Sequence, residues 1–479
     1  MDTDELNQLR QAAALKLSIQ SARVAGFAAY AENEAGIIAL LDTEERQTFR
    51  TFLAESGCNW AELIVNAVAE RLQVTGFRFG SEADNELAWT IWQANCLDAD
   101  SELVQTDALT MGSSYLLVQP DDTNPAGVSI TPESPYQATV LYDPGSRRRR
   151  VAGYKRYGAA TDYALNDWAL INQGQLTAGS VVEVLVTPEE IVTWWPDSGD
   201  TPQVDPNPVG AVSMVEVVPQ PRTLGPPRCE FEGVIPVLDR LNTSTFNLMV
   251  SADYGAFRQV WASGVKIARQ VVHNATDGTD TVVALRPFDI GANRLLASEN
   301  PDARFGSFPE ALLTGYLSAI EQDVVHLAAM TQTPAHYLMG KMINLAADAI
   351  KAAEVGLVAK TRRRSVHIGE AYEEAMRLAL GIVGSPAAAN VEAETVWADM
   401  ETRSEGQRVD ALVKMATLGV PREVLWQKWG ATPAEIQAWQ AMIAADPGQA
   451  VSPPPTVPGT GGVPTPAPEP APADQLPAD

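Results

Sequence analysis

Apolar residues recur at helical spacing in two long stretches that frame the middle of the chain. In DRLNTSTFNLMVSADYGAFRQVWASG, which begins at Asp239, they are Phe246, Met249, Val250, Phe257, Val260 and Trp261. In SFPEALLTGYLSAIEQDVVHLAAMTQTP they are Leu313, Tyr316, Leu317, Ile320, Val324 and Leu327. Ser307 and Glu310 make a capping box, and Pro309 suits a first turn whose N–H groups have no helical partner. The second helix is therefore predicted to start at Ser307 and to stop before Pro334. Between the two, Gly264 to Gly306 reads as short strands, VKIARQVV and TVVALRP, separated by turn residues. Two helices of about 25 residues, each ~37 Å long, joined by a small β excursion make a stalk with a tip. A stalk has few neighbours in its own chain to cover its apolar stripes. Copies of itself would cover them, which predicts an oligomer.

The flanking pattern fills in an α+β protein. Residues 2–30 predict a helix rich in Ala, Leu and Gln, and residues 44–56 and 59–73 predict two more, the last capped by Asn59. Trp60, Leu63, Ile64, Ala67, Val68 and Leu72 form its apolar face. VTGFRFG reads as a short strand, ELAWTIWQANC and Asp98–Met111 as helices, and SSYLLVQP as a strand. From Gly127 to about Val218 the period drops to two. VSIT, QATVLYD, RRVAGYKRY, VVEVLVT, IVTWW and AVSMVEVV are bounded by Gly, Pro, Asp and Asn, and Asp143-Pro144-Gly145 turns a hairpin into Arg147–Arg150.

Beyond the second stretch, TPAHYLMGKMINL reads as a loop, then an Ala-rich helix runs from about Asn344 to Leu380. It would measure ~55 Å, with Gly356 and Gly369 as candidate bends and Gly384-Ser385-Pro386 as its stop. ETVWADM is one more strand. Three short helices follow: Ser404 and Gln407 cap the first and Gly419 ends it, Pro421 and Gly430 bound the second, and Thr432, Pro433 and Glu435 start the third. From Asp446 the chain is rich in Pro, Ala and Gly without Lys or Arg, and is predicted to be extended and disordered.

At 479 residues the chain suggests two or three domains. Sixty acidic against 34 basic residues give a net charge of −26. Such a surface repels phosphates, so it disfavours a static nucleic-acid binder and adhesion to an anionic membrane; the plain reading is solubility. Cys58, Cys96 and Cys229 lie far apart, with neither a disulfide framework nor a zinc motif. The N-terminus has no secretory pattern, and no run approaches the ~18 apolar residues of a membrane span. A soluble, cytoplasmic protein is expected.

Enzymatic signatures are weak. Gly340-Lys341 fails as a phosphate loop, because the positions that need Gly and Ser or Thr hold Ala335 and Met342. His273, His326, His336 and His367 show no ligand spacing, and His326 reads as a packed or interface histidine. The acidic pairs Asp121-Asp122, Glu189-Glu190 and Glu373-Glu374 read as turns or solvated helix faces, and Trp194-Trp195 as core or interface. Two basic runs interrupt the acidic background: Arg147–Arg150, continued by Lys155 and Arg156, and Arg362–Arg364. They read as a solvated hairpin and a charged helix face, or else as contacts to DNA phosphates or an acidic neighbouring subunit. No catalytic residue, metal or cofactor is predicted; nothing points to a two-metal nuclease, although its ligands can lie far apart in sequence, and a DNA-processing or maturation enzyme, or an acidic adaptor or scaffold protein, stands as the alternative.

The series as a whole resembles the portal proteins of tailed bacteriophages, of the type found in siphophages of Gram-positive hosts. The resemblance rests on Asn59-Trp60 with AERLQVTGF, on QATVLYDP and GVIPVLDRLN, and most strongly on FNLMVSADYGAFRQVWASG, VVHLAAMTQTPAHYLMG and NLAADAIKAAEVGLVAK. It runs in order from about residue 20 to 440. YAENEAG (Tyr30–Gly36) departs from the family's Tyr-Tyr-x-Gly-like segment, and the Pro-rich tail has no counterpart.

The resemblance implies a portal fold: an α/β wing (1–238), a stem helix (239–263), a small β-containing clip (264–306), a second stem helix (307–331) and a channel loop (332–345). The wing's long helix and return strand (346–400), a helical crown (401–445) and the tail (446–479) complete it. It implies no enzyme, but a ring of about twelve copies at one capsid vertex. Double-stranded DNA would pass through it, and the terminase large subunit, head-tail adaptors, and major capsid and scaffold proteins would be partners. The protein would lie in the virion after assembly in the host cytoplasm, with no membrane. His336, Tyr337, Met339, Lys341 and Asn344 would face the channel, and Lys266 and Arg269 would be basic contacts at clip and stem. Phe246, Met249, Phe257, Trp261, Leu313, Leu317, Ile320 and Val324 would pack the stem. One firm Lys–phosphate contact per subunit around a ring would exceed the ~6–10 contacts that already bind duplex strongly. A mostly acidic or neutral wall with few basic rings is therefore expected.

Overall fold

The computed structural model, which describes residues 2–34, 56–158, 181–196, 201–256, 260–264, 269–273, 280–284, 301–307, 312–339, 347–401 and 405–445, opens with α1 (Thr3–Ala31). Its buried positions Leu6, Ala13, Leu17, Val24, Phe27 and Ala28 follow one stripe. Next come α2 (Trp60–Ala69), β1 (Val74–Arg78), α3 (Glu82–Ala94) and α4 (Leu97–Met111). As predicted, the Asn59 side chain accepts the Glu62 N–H and so caps α2. The predicted helix over 44–56 falls almost wholly outside the described residues.

The β-rich stretch supplies β2 (Ser114–Pro120), β3 (Val128–Glu133), β4 (Ala138–Asp143), β5 (Ser146–Gly158), β6 (Val181–Val186), β7 (Glu190–Trp194), β8 (Gln203–Pro206) and β9 (Met214–Val217). β4 to β8 form an antiparallel meander in chain order, while β2 sits between β3 and β9 in a separate sheet. At the first hairpin the Gly145 N–H donates to Asp143 Oδ1 at 2.7 Å, the Asx turn that its sequence predicts. β2 reads as a continuous apolar run because both its faces are covered. Leu116 and Val118 join the main core, and Tyr115 and Leu117 join a cluster with Ala138, Val140, Val212 and Met214. Leu6, Ala13 and Leu17 of α1 cover the meander at Ala152, Tyr154, Leu185, Val192 and Trp194. β8 has four exposed residues, hence no alternation by which the sequence could announce it.

α5 (Ile235–Ala256) starts inside the main core, where Val237, Leu238, Leu241 and Phe246 are buried, and then leaves it. Four short strands follow, β10 (Val260–Ser263), β11 (Arg269–His273), β12 (Asp280–Ala284) and β13 (Arg304–Ser307), paired antiparallel as β10–β13 and β11–β12. α6 (Thr314–Thr331) returns along α5 and re-enters the core at Val324, Leu327 and Ala328. This middle corrects the helical periodicity twice. Val260 and Trp261 lie in a strand, and the return helix begins at Thr314, with Ser307 closing β13. The cause is a cross-strand pair. Trp261 lies over Gly306, where any Cβ would come within 2.5 Å of its ring, so the indole packs on bare backbone and fixes the register. Aromatic and β-branched residues at helical spacing fit either element until a partner strand is known. Pro309 and Glu310 lie outside the described residues.

α7 (Ala335–Met339) leads toward α8 (Ala347–Ile382), a 36-residue helix about 54 Å long. Along it Leu357, Ile368, Tyr372, Ala375, Met376, Ala379 and Leu380 are buried. β14 (Glu394–Trp397) then pairs antiparallel with β1, which joins the two ends of the folded chain. α9 (Glu405–Thr417), α10 (Arg422–Trp429) and α11 (Pro433–Ala445) complete the described residues, with Trp426 and Trp439 edge to face at 5.4 Å. The predicted Thr432–Glu435 box forms: Glu435 N donates to Thr432 Oγ1, and Thr432 N to Glu435 Oε2. Ser404 and the tail lie outside the described residues.

Tyr372 of α8 anchors the main core. It is 1% exposed, lies edge-on to Trp92 at 5.3 Å, and its hydroxyl accepts from Gln105 and donates to the Ser101 carbonyl. Tyr372→Ala should lower unfolding free energy by about 3–5 kcal/mol, read from urea midpoints. Tyr372→Phe, which strands the Gln105 amide, should cost about 1–2 kcal/mol.

Candidate functional site

The segment that joins α6 to α8 is mounted on buried charge. α6 ends because Gln332 takes a left-handed conformation (φ 54°) and Pro334 follows. Its last turn leaves carbonyls without helical partners, and the Lys360 ammonium donates to the Thr331 carbonyl at 2.7 Å. The same ammonium lies 3.1 Å from Glu230, which also receives Arg364 Nε at 3.0 Å and the Gln220 amide at 2.8 Å. Burial alone would raise the Glu230 carboxyl, but Lys360 and Arg364 outweigh it and hold it below the usual carboxylate range. Burial pulls the Lys360 ammonium below the ordinary lysine range, with Glu230 opposing. One carboxylate thus ties α8 to the turn before α5, and through Lys360 to the end of α6.

A second junction holds α7. The Tyr337 hydroxyl accepts from Arg71 Nη2 at 2.8 Å and donates to Glu354 Oε1 at 2.9 Å, and Arg71 lies 3.6 Å from Glu354. Arg71 and Glu354 are nearly sealed from solvent, with side chains 10% and 6% exposed. Burial raises the Tyr337 hydroxyl above its ordinary value, so it stays a donor to the carboxylate. Leu338 is buried beside it, and His336 stacks edge to face on Tyr337 at 4.7 Å. The predicted loop therefore begins as a five-residue helix clamped to the turn after α2 and to α8.

A third contact clips the antiparallel pair together. Arg240 of α5 gives a bidentate pair to Asp323 of α6, at 2.8 and 2.6 Å. The Arg240 hydrogen bonds hold the Asp323 carboxyl below its usual range. Of the two readings its sequence context allows, packed or interface, the fold leaves the second: His326 is half-exposed beside Asp323 and Gln322.

The sequence-predicted residues distribute as follows. Phe246 and Val324 are buried, Met249, Leu313 and Ile320 half-buried, and Leu317 and Trp261 exposed, the last on β10. His336, Tyr337 and Met339 share α7 and are half-buried. Arg269 is on β11; Phe257, Lys266, Lys341 and Asn344 lie outside the described residues.

The basic runs have internal partners: Arg149 with Asp143, Arg150 with Glu374, Arg362 with Glu401, Arg363 with Gln332 and Arg364 with Glu230. Glu373 and Glu374 are not on a solvated face. Glu373 accepts the Thr395 N–H across to β14, and Glu374 binds two guanidinium groups, those of Arg150 and Arg377. Arg71, Glu230, Arg240, Asp323, Glu354 and Lys360 escaped sequence reasoning because their partners are distant: Arg240 and Asp323 are 83 residues apart, Glu230 and Arg364 134, Arg71 and Tyr337 266. The available signal was a charge at a position whose helical neighbours are apolar, as at Lys360 and Glu354.

Among the described residues no three His, Cys, Asp or Glu side chains gather as a metal cluster, and no helix is long and apolar enough to cross a membrane. The geometry is that of a mount: two paired helices and an anchored short helix, with charges spent on fixing them.

The sequence model of the family described as "Phage portal protein, SPP1 Gp6-like" matches residues 38–448. A portal protein of Mycobacterium phage D29 is 31% identical over 434 residues, covering 86% of this chain and 84% of its own length. A portal protein of Mycobacterium phage L5 is 31% identical over 441 residues, covering 86% and 85%.

Arg71→Ala leaves Glu354 buried without its cation and should cost about 3–5 kcal/mol in urea unfolding, against about 1–2 for Tyr337→Phe. Asp323 has a depressed carboxyl pKa, so its contribution is present above about pH 4 and lost as pH falls through the folded value. Asp323→Asn should lower the melting temperature at pH 7, with the gap to wild type closing toward pH 2.

Proposed function

The chain belongs to the phage portal protein family, SPP1 Gp6-like, and from that premise we propose how its parts serve a conduit for the genome. A portal protein is a structural component of the capsid vertex with a role in genome packaging. Copies of this chain assemble into a ring of about twelve, closed by head-to-tail contacts. α5 and α6 form the stem, the strands β10 to β13 belong to the clip, and residues 332–345 carry the channel loop. Residues 1–238 with α8 and β14 make the wing, and residues 401–445 the crown. The terminase large subunit docks at the clip during packaging, head-tail adaptors replace it, and capsid and scaffold proteins surround the wing.

The observation that carries this reading is the face of α6 that its own chain leaves bare. Tyr316 and Leu317, on its outer turns, continue the stripe that Val324 and Leu327 bury in the core, yet they are exposed, as are Val325 and Met330, and neighbouring copies would cover them. The net charge of −26 supports the second half of the reading. Duplex DNA slides past a wall that repels its phosphates and is checked only at sparse cations. Lys341 is the cation assigned to the channel loop, with Lys266 or Arg269 as others. His336, Tyr337 and Met339 form its clamped base, and Asn344 lies on its return.

Negative-stain images of the purified chain should show rings with a central hole. Lys341→Ala should form the same rings and package DNA measurably less well or at a changed rate. Rings that package identically would remove the loop's role, and a persistent compact monomer, in isolation and at the virion vertex, would remove the conduit.

A further inference from the structure

A groove of about 1090 Å³ runs between α1, the segment 218–227 and α8. Its charge opposes that of the protein. Lys16, Arg23, Arg148, Arg150, Arg222 and Arg377 line it, against Glu216, Glu370 and Glu374. Glu374 is shared by Arg150 and Arg377, and Arg23 is paired with Glu232 at the margin, so the groove's cations still exceed the carboxylates that meet them. Its floor is partly apolar: Leu15 and Ile19, one turn apart on α1, are 63% and 65% exposed, and Pro221, Pro226 and Pro227 stand opposite. An occupant has to be acidic, partly apolar and slender.

The C-terminal segment of this chain has that chemistry. Residues 446–479, beyond the described fold, contain Asp446, Glu469, Asp474 and Asp479 with no Lys or Arg, amid Pro, Ala, Val and Leu476. We infer that this C-terminal segment docks in the groove, its carboxylates on the basic rim and its apolar side chains over Leu15 and Ile19. Reach is ample. Thirty-four residues span ~105 Å at 3.1 Å per residue, against a radius of gyration of about 23 Å for a folded chain of this length. Proline limits the freedom lost on binding. Tethering supplies an effective concentration in the millimolar range, so a weak contact suffices. The contact would shield an apolar, cationic patch that otherwise invites acidic proteins.

The test uses the full chain with a photo-crosslinking benzoylphenylalanine in place of Leu15. Crosslinks should map to residues 446–479, and their yield should fall several-fold on raising salt from about 0.05 to 0.5 M, because exposed charge pairs are screened. Reversing the tail charge with Glu469→Lys, Asp474→Lys and Asp479→Lys should lower the yield at least five-fold, and so should Arg148→Glu with Arg222→Glu. The tail variant touches no described residue, so it stands if the groove variant misfolds. Mixing isotope-labelled and unlabelled chains tells whether the tail comes from the same copy or a neighbour, and either supports docking. Crosslinks to any other part of the chain, a yield no higher than from the exposed control position Val391, or indifference to tail charge would overturn it. Ring formation is scored separately, so this inference and the portal reading fail independently.

Discussion

Glu230 is sealed from water, and a carboxylate in that position has to be met by cations or be lost from the fold. α8 meets it with two, Lys360 and Arg364, one turn apart, and Lys360 passes a further hydrogen bond to the last turn of α6. The consequence is geometric. Three segments far apart in sequence share one set of charged hydrogen bonds, so α8 can neither rotate nor slide against the end of α6 without burying an unpaired charge. A cluster of this kind adds little net stability compared with apolar packing, but it makes alternative arrangements costly. The Arg71–Tyr337–Glu354 junction repeats the device one helical turn or two away on α8, and it sets where α7 begins.

That rigidity explains how a helix pair can stand out from the core. α5 and α6 are each rooted at one end and clipped by Arg240 and Asp323, while the outer turns of α6 expose Tyr316 and Leu317. A portal needs elements that hold their direction as monomers and present surface to neighbours. In the proposed conduit, surplus acidic charge over the rest of the chain would serve the same end by repelling the phosphates of the DNA that passes through. The basic groove beside α1 stands out against that background because its guanidinium groups outnumber the carboxylates that face them.

Much of this was legible in order of residues. Asn59, the Asp143-Pro144-Gly145 turn, Gly430 and the Thr432–Glu435 box act through hydrogen bonds to neighbours within four positions, and all behave as local chemistry dictates. The amphipathic stripe in α2 announced a buried face for the same reason: helical geometry places i, i+3 and i+4 together whatever the rest of the chain does. The extents of α5 and α6 were not legible, because Val260 and Trp261 satisfy either period. What turned them into a strand was Gly306, some 45 residues on, offering bare backbone to an indole.

The candidate site shows the same division more sharply. Sequence alone determined the family resemblance, the order of elements, the acidic balance and the position of a segment between two long helices, since each depends on composition or short spacing. Tertiary structure alone decided which charges were structural: Arg364 in a run that looked solvated, Glu374 in a pair that looked like a helix face, and Arg71 beside Tyr337. The reason is that a charged side chain carries no local mark of its partner. Whether it stabilises a fold, faces water or awaits a ligand depends on the dielectric around it and on what the folded chain brings within 3 to 4 Å, and neither is written in its neighbours along the sequence.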